Sequence, residues 1–171
     1  MARVFIGIGT NEGDRLANIS RAVRAMGALP EVRLVQMATV IETEPVGGPP
    51  QDPYLNTVVE IETALEPAAL LAALQEIERR LGRVRSAVRW SSRPMDLDLL
   101  CYGDRRIDTP ALQVPHPWLH ERRFALEPLA QLAPELVHPR LGRTIAELLA
   151  QLKPIPHSQF PILNWSACLW W

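Results

Sequence analysis

Residues 95–102 read M-D-L-D-L-L-C-Y, from Met95 to Tyr102. This short run, apolar apart from two aspartates, is a strand, and its place after three strands and two helices decides the fold. Working back along the chain, Leu70, Leu71, Leu74, Ile77 and Leu81 recur at helical spacing. Pro67 stands where a first-turn proline belongs, and Gly82 ends that helix. Upstream again, Tyr54 through Thr63 alternates Val59 and Ile61 with polar neighbours, as a half-buried strand does. The stretch from Glu44 to Pro53 holds four prolines and two glycines and is a loop. Val32 through Ile41 reads as one strand. Leu16, Ile19, Val23, Met26 and Leu29 predict a helix from Asp14 to Leu29, stopped by Pro30. Val4, Phe5, Ile6 and Ile8 form a first strand that ends at the turn-rich Gly9-Thr10-Asn11-Glu12-Gly13.

With the fourth strand in place the order is β-α-β-β-α-β. That order predicts an α/β (more strictly α+β) ferredoxin-like sandwich with both helices on one sheet face. Additional C-terminal helices follow, the last beginning at the capping-box pattern Thr144-Ile145-Ala146-Glu147 and running to Leu152. A single domain is expected over 1–153. The tail, 154–171, carries three of the five tryptophans without sustained periodicity. It docks on the domain, docks on a second copy or stays disordered; the sequence favours none of these.

Bulk composition narrows the chemistry. With 171 residues, 47% hydrophobic and 22% charged, the chain is globular and long enough for one real core. A net charge of −1 argues against broad binding to nucleic acid or to an anionic membrane. Of 18 basic residues only Lys153 is lysine. Arginine's planar fork suits phosphates, although a genomic preference for arginine codons explains the count equally well. Cys101 and Cys168 lack metal spacing and make no disulfide framework, so a reducing compartment is expected. No run reaches the roughly 18 apolar residues of a membrane span, and the N-terminus reads as a strand and not as an export signal. The expectation is a cytoplasmic monomer.

Asp96 and Asp98 lie at i and i+2 on the fourth strand, so both project from one face and Leu97 from the other. Their spacing, roughly 7 Å, can hold hard cations, and magnesium favours a few carboxylates completed by substrate phosphates. Taken alone the pair fits a solvated strand face as well. The preceding loop changes that balance: Arg83, Arg85, Arg89 and Arg93 flank Trp90 just before the acidic pair. Arginines beside a metal-binding pair are what phosphoryl transfer requires. No G-x-x-x-x-G-K-[ST] string exists, so phosphate handling must rest on arginine and metal. Gly7-Ile8-Gly9 reads as a tight turn between strand and helix.

Residues 83–100, R-V-R-S-A-V-R-W-S-S-R-P-M-D-L-D-L-L, resemble the signature region of the 6-hydroxymethyl-7,8-dihydropterin pyrophosphokinases. F-I-G-I-G-T-N-E-G-D (5–14), E-T-E-P-V-G (42–47), Y-L-N (54–56) and V-P-H-P-W-L-H-E-R-R-F (114–124) resemble that family too, in its order. The resemblance spans about residues 3–152 and agrees with the β-α-β-β-α-β reading. It implies transfer of pyrophosphate from ATP to the hydroxymethyl group of the pterin, with release of AMP, in folate biosynthesis. It also implies two magnesium ions at Asp96 and Asp98, and phosphate contacts from the catalytic Arg83 and Arg93. Gln75, Glu78, Arg85, Trp90, Leu99, His116 and Arg122 match ATP-side positions. Tyr54 and Phe124 match the aromatics that sandwich the pterin, and Thr43, Val46 and Asn56 match positions that read its polar edge. The partners implied are small molecules, ATP and a reduced pterin alcohol.

Two other readings remain. One keeps Mg–ATP but transfers a single phosphate or a nucleotidyl group. The other is a ferredoxin-like ligand-binding or regulatory module without chemistry, since that fold hosts many functions. The arginine loop beside Asp96 and Asp98 argues against the second, and Tyr54-Leu55-Asn56 with Phe124 argues for a pterin acceptor.

Overall fold

In β1 (Ala2–Thr10), Val4, Ile6 and Ile8 face one side and Phe5, Gly7 and Gly9 the other, and this strand sits inside the sheet. The computed structural model describes residues 1–45, 49–82 and 94–154, together with the backbone of 157–159. After β1 come α1 (Arg15–Gly27), β2 (Val32–Met37), β3 (Ile41–Thr43), β4 (Tyr54–Thr63), α2 (Pro67–Arg80) and β5 (Asp96–Tyr102). The chain continues through the small hairpin β6 (Ile107–Asp108) and β7 (Gln113–Val114), a 3-10 turn (Leu119–Glu121), α3 (Arg123–Leu132) and α4 (Ile145–Gln151). It ends its described course in β8 (His157–Gln159).

The main sheet runs β5-β1-β4-β3-β8, with β2 also on β4, and every pairing is antiparallel. This is the expected βαββαβ core with one difference. The single strand predicted over 32–41 is two strands on the same edge of β4. Register slips by one residue between Leu34 and Gln36, and residues 38–40 leave the ladder before pairing resumes at Ile41. Ala38 bridges the gap: its N–H donates to the Val58 carbonyl at 2.9 Å and its carbonyl accepts from the Thr57 hydroxyl at 2.9 Å.

Two apolar clusters hold the sheet. On one face Val4, Ile6, Ile8, Leu97 and Leu99 pack with Ile19, Val23 and Met26 of α1 and with Leu70, Leu74 and Ile77 of α2. Asp14 caps α1, its carboxylate accepting from the Ala17 N–H at 3.1 Å, and Gly82 follows α2 at φ +91°, where a side chain would be strained. On the other face Phe5, Val58, Leu100 and Cys101 pack under Leu126 and Leu129 of α3 and Ile145 and Leu148 of α4. A register shift between Phe5 and Ile6 against β5 lets the neighbours Leu100 and Cys101 both join this second cluster. Burial pushes the Cys101 thiol up to about 12, so it behaves as a small apolar group.

The capping box at Thr144 forms as the sequence predicts, with Thr144 and Glu147 exchanging hydrogen bonds at 2.8 and 3.2 Å. α3 carries Pro128 in its interior, which obscures its helical pattern in the sequence. In the tail, 157–159 adds a strand to the outer edge of β3, with Thr43 opposite His157. Among the described residues no helix is long and apolar enough to cross a membrane.

Candidate active site

α3 and α4 cover only part of the second sheet face. Beyond their edge lies a cleft of about 670 Å³, lined by Thr43, Tyr54, Asn56, Asp96, Asp98, Arg122 and Phe124, with Gly7 and Gly9 in its floor. Strand register explains the arrangement. Gly9 pairs with Asp96 of β5 on one side and Asn56 of β4 on the other. Directly opposed residues share a face, so the carboxylate, the glycine and the amide all face the cleft. Two inter-strand steps put Asp96 and Asn56 roughly 10 Å apart across a row with no side chain at its middle. Gly7 repeats the pattern opposite Asp98. Expected as a strand-to-helix turn, Gly7 and Gly9 instead lie inside β1, which runs unbroken to Thr10 because the strand ladder on both sides continues past them.

The acidic end of the row projects as the alternation requires: Asp96 and Asp98 are part-exposed while Leu97 is 4% exposed on the helix side. The Arg122 guanidinium approaches Asp98 Oδ2 at 3.4 Å and lies 5.8 Å from the Phe124 ring centroid. Two carboxylates over a glycine floor, open to a cleft, suit a hard cation. No third His, Cys, Asp or Glu joins them among the described residues. Water and phosphate oxygens would therefore complete the shell, as magnesium prefers.

His116 stands beside this end. Its N–H donates to the Leu100 carbonyl at 2.8 Å, which ties the turn to β5. The Trp118 backbone N–H lies 3.2 Å from His116 Nδ1 and Arg122 Nη1 lies 3.4 Å from Nε2, so each ring nitrogen faces a donor. Burial first, then the Arg122 charge, lowers the imidazole to about 4, with Asp96 opposing in part. A neutral ring accepts from only one of these donors, and the N–H and guanidinium groups left over are ones that an anionic oxygen would satisfy.

At the other end, Asn56 is 7% exposed and its Nδ2 donates to Thr43 Oγ1 at 2.7 Å. Tyr54 flanks the amide and donates its hydroxyl to Gln51 Oε1 at 3.2 Å, and Phe124 closes the cleft from α3. The junction of β1 and α1 fastens the rims. Thr10 and Asn18 donate to the Pro94 carbonyl at 2.7 and 3.2 Å, Asn11 donates to the Asp52 carbonyl at 3.1 Å, and Arg15 donates to the Pro53 carbonyl at 2.9 Å.

Not every residue singled out in the sequence reaches the cleft. Gln75 lies on the exposed side of α2. The Leu99 side chain is 5% exposed in the helix-side cluster, so any ligand contact from it would be through backbone. Glu78 is 5% exposed and accepts the Leu97 N–H at 2.6 Å, bracing β5 between the two aspartates. Val46, Arg83, Arg85, Trp90 and Arg93 lie outside the described residues, as do Arg89, Ser91 and Ser92. The sequence reading overlooked Trp118, 52% exposed on the rim, and Arg123 and Lys153, which also line the cleft. Only the tertiary approach of the β7–α3 connection, the start of α3 and the segment after α4 brings these residues there. The glycines could have been found from their alternate positions in an otherwise apolar strand.

Residues 5–134 match the family model described as 7,8-dihydro-6-hydroxymethylpterin-pyrophosphokinase. A 2-amino-4-hydroxy-6-hydroxymethyldihydropteridine pyrophosphokinase from Methylorubrum extorquens is 41% identical over 154 residues, 90% of this chain and 96% of that protein. One of the same name from Pseudomonas aeruginosa is 43% identical over 148 residues, 86% of this chain and 90% of that protein. Among solved structures, the Plasmodium falciparum HPPK-DHPS with pteroate superposes with a TM-score of 0.71 over 88% of this chain at 14% identity. The present chain spans 42% of that longer one, and at this identity the likeness speaks for the fold alone.

Proposed function

The chain belongs to the 7,8-dihydro-6-hydroxymethylpterin-pyrophosphokinase family, and from that membership we propose how its cleft works. The enzyme transfers pyrophosphate from ATP to the hydroxymethyl group of 6-hydroxymethyl-7,8-dihydropterin, releasing AMP, in folate biosynthesis. The observation that carries the site assignment is the register row Asp96–Gly9–Asn56, which faces an acidic end and an amide-and-aromatic end across bare backbone.

Tyr54 and Phe124 sandwich the pterin ring, whose flat, electron-poor face stacks well on aromatics. Asn56 and Thr43, already tied to each other, offer donor and acceptor atoms to its amide-like edge, with Val46 completing that edge. This orientation sends the hydroxymethyl arm over Gly9 toward β5. The arm's hydroxyl oxygen bonds to the β-phosphorus of ATP and releases its proton to solvent, the bond from that phosphorus to the α-phosphate oxygen breaks, and AMP leaves with the electron pair. Arg122 and the His116 imidazole hold phosphate oxygens beside Asp98, and Arg83 and Arg93 support the charge that builds on the transferred group. Arg85 and Trp90 serve the nucleotide side, to which Leu99 could contribute only through its backbone. Asp96 and Asp98 would hold two magnesium ions, and bound metal would supply charge neutralisation and alignment of the attacking and leaving oxygens. The net charge of −1 and the small-molecule cleft fit a cytoplasmic monomer that engages neither nucleic acid nor membrane.

Product analysis tests the reading. With Mg–ATP and the reduced pterin alcohol, AMP should appear without free pyrophosphate. ADP would mean transfer of one phosphate, and absence of turnover would mean a binding module. Activity that persisted after complete magnesium chelation would overturn the metal assignment.

A further inference from the structure

We infer that Gly9 is a specificity-determining position: its missing side chain is the clearance that lets a planar bicyclic acceptor seat against Asn56 and point its arm at the acidic pair. This rests on the assignment of Asn56, Tyr54 and Phe124 to the pterin. A Cβ at Gly9 would stand 3.3 Å from Asn56 Oδ1 and 4.0 Å from Tyr54 Cδ1, and among the described residues it would meet nothing else within 4 Å. It would therefore enter the corner where the ring edge meets the amide. The helix-side core lies on the opposite face of the sheet. Gly9 is also the central member of the row between Asn56 and Asp96. A larger side chain there would stand between the arm and the triphosphate, on the only direct line between the two ends of that row.

The backbone itself does not call for glycine at this point. Gly9 is paired on both sides in regular antiparallel ladder, and its φ is not in the left-handed region. Glycine inside a strand weakens it through chain entropy and lost packing, so its presence here is not a folding requirement. Alanine at this site should fold at least as well as glycine, with only the end of the Asn56 side chain asked to yield by a few tenths of an ångström. Fold and ligand binding are thereby separable at one position.

The test measures Gly9→Ala beside the unaltered enzyme and Asn56→Ala. Melting is followed first. Binding of 6-hydroxymethylpterin is then followed by its own fluorescence, with Mg²⁺ and an ATP analogue whose α,β-bridging oxygen is a methylene. Nucleotide-analogue affinity is measured separately by calorimetry. The expected result for Gly9→Ala is melting no lower than the parent, pterin affinity weakened about tenfold or more, and nucleotide affinity within about twofold, in line with an overpacked site. Gly9→Val should weaken pterin binding further. Unchanged pterin affinity in Gly9→Ala would overturn the inference, as would an equal loss of both ligands, which would mark a general disturbance of the cleft. If Asn56→Ala also left pterin binding unchanged, the failure would lie in the assignment of the pterin end itself. If Asn56→Ala lost binding while Gly9→Ala kept it, only the role of Gly9 would fall.

Discussion

Asp98 and His116 show how a single side chain takes its properties from its neighbours. Asp98 sits over glycine backbone with the Arg122 guanidinium 3.4 Å away, and its 35% side-chain exposure leaves it little part in folding. Asp98→Asn should therefore lower kcat by on the order of 10²–10³ and shift stability by no more than about 0.5 kcal/mol. Parallel kinetics and chemical denaturation check both halves, and full activity in the variant would remove Asp98 from the reaction. His116 responds to acid. Its folded value, about 4, lies below the ordinary 6.5, so the unfolded chain binds the extra proton first. The histidine therefore contributes no penalty above about 6.5, and stability falls as pH drops from there toward 4. Burial also lowers His138, which adds to the same slope. His116→Asn should flatten part of this decline in melting temperature between those pH values, and an unchanged slope would show the imidazole is not held neutral. Both aspartates were visible in the sequence as a pattern. The state of His116 was not, because it depends on burial and on Arg122 brought close by a turn docked on β5.

Individual elements matter here chiefly through their ends. The end of β1, the turn after it and the start of α1 supply Thr10, Asn11, Arg15 and Asn18, which fasten carbonyls at 52, 53 and 94 on the rims of the cleft. Asn18 is 7% exposed, and its Nδ2 serves both the Glu12 carbonyl at 2.9 Å and the Pro94 carbonyl at 3.2 Å. Asn18→Ala should cost about 1–3 kcal/mol of stability, and it should also lower kcat by loosening the start of β5 two residues before Asp96. Urea unfolding and steady-state rates would show it; a stability loss with kcat untouched would confine Asn18 to folding. These elements were legible wherever period and punctuation agreed, as in α1 with its Asp14 cap and α2 between Pro67 and Gly82. They were not where a bulge resets the period: the break between β2 and β3 follows from pairing with β4, not from a local breaker.

For the whole molecule, the two apolar clusters do different work. The helix-side cluster holds α1 and α2 to the sheet, whereas the second anchors α3, whose first turn carries Phe124 into the cleft. Leu70 and Leu126 are both fully buried, one in each cluster. Leu70→Ala and Leu126→Ala should each cost about 2–5 kcal/mol, but only Leu126→Ala should also raise KM for the pterin. Equal KM in the two variants would mean that Phe124 is placed independently of the α3 packing. The sequence by itself determined the βαββαβ order, the Gly82 stop and the Thr144 capping box, the acidic pair on one strand face and the family, because each depends on residues close in the chain or on motifs in a fixed order. Tertiary structure alone decided which sheet face α3 and α4 leave open and that residues 157–159 extend the sheet beside Thr43. It alone also decided that Gly9 lies between Asp96 and Asn56. Those facts arise from register and packing between segments up to more than a hundred residues apart, where no local periodicity reaches.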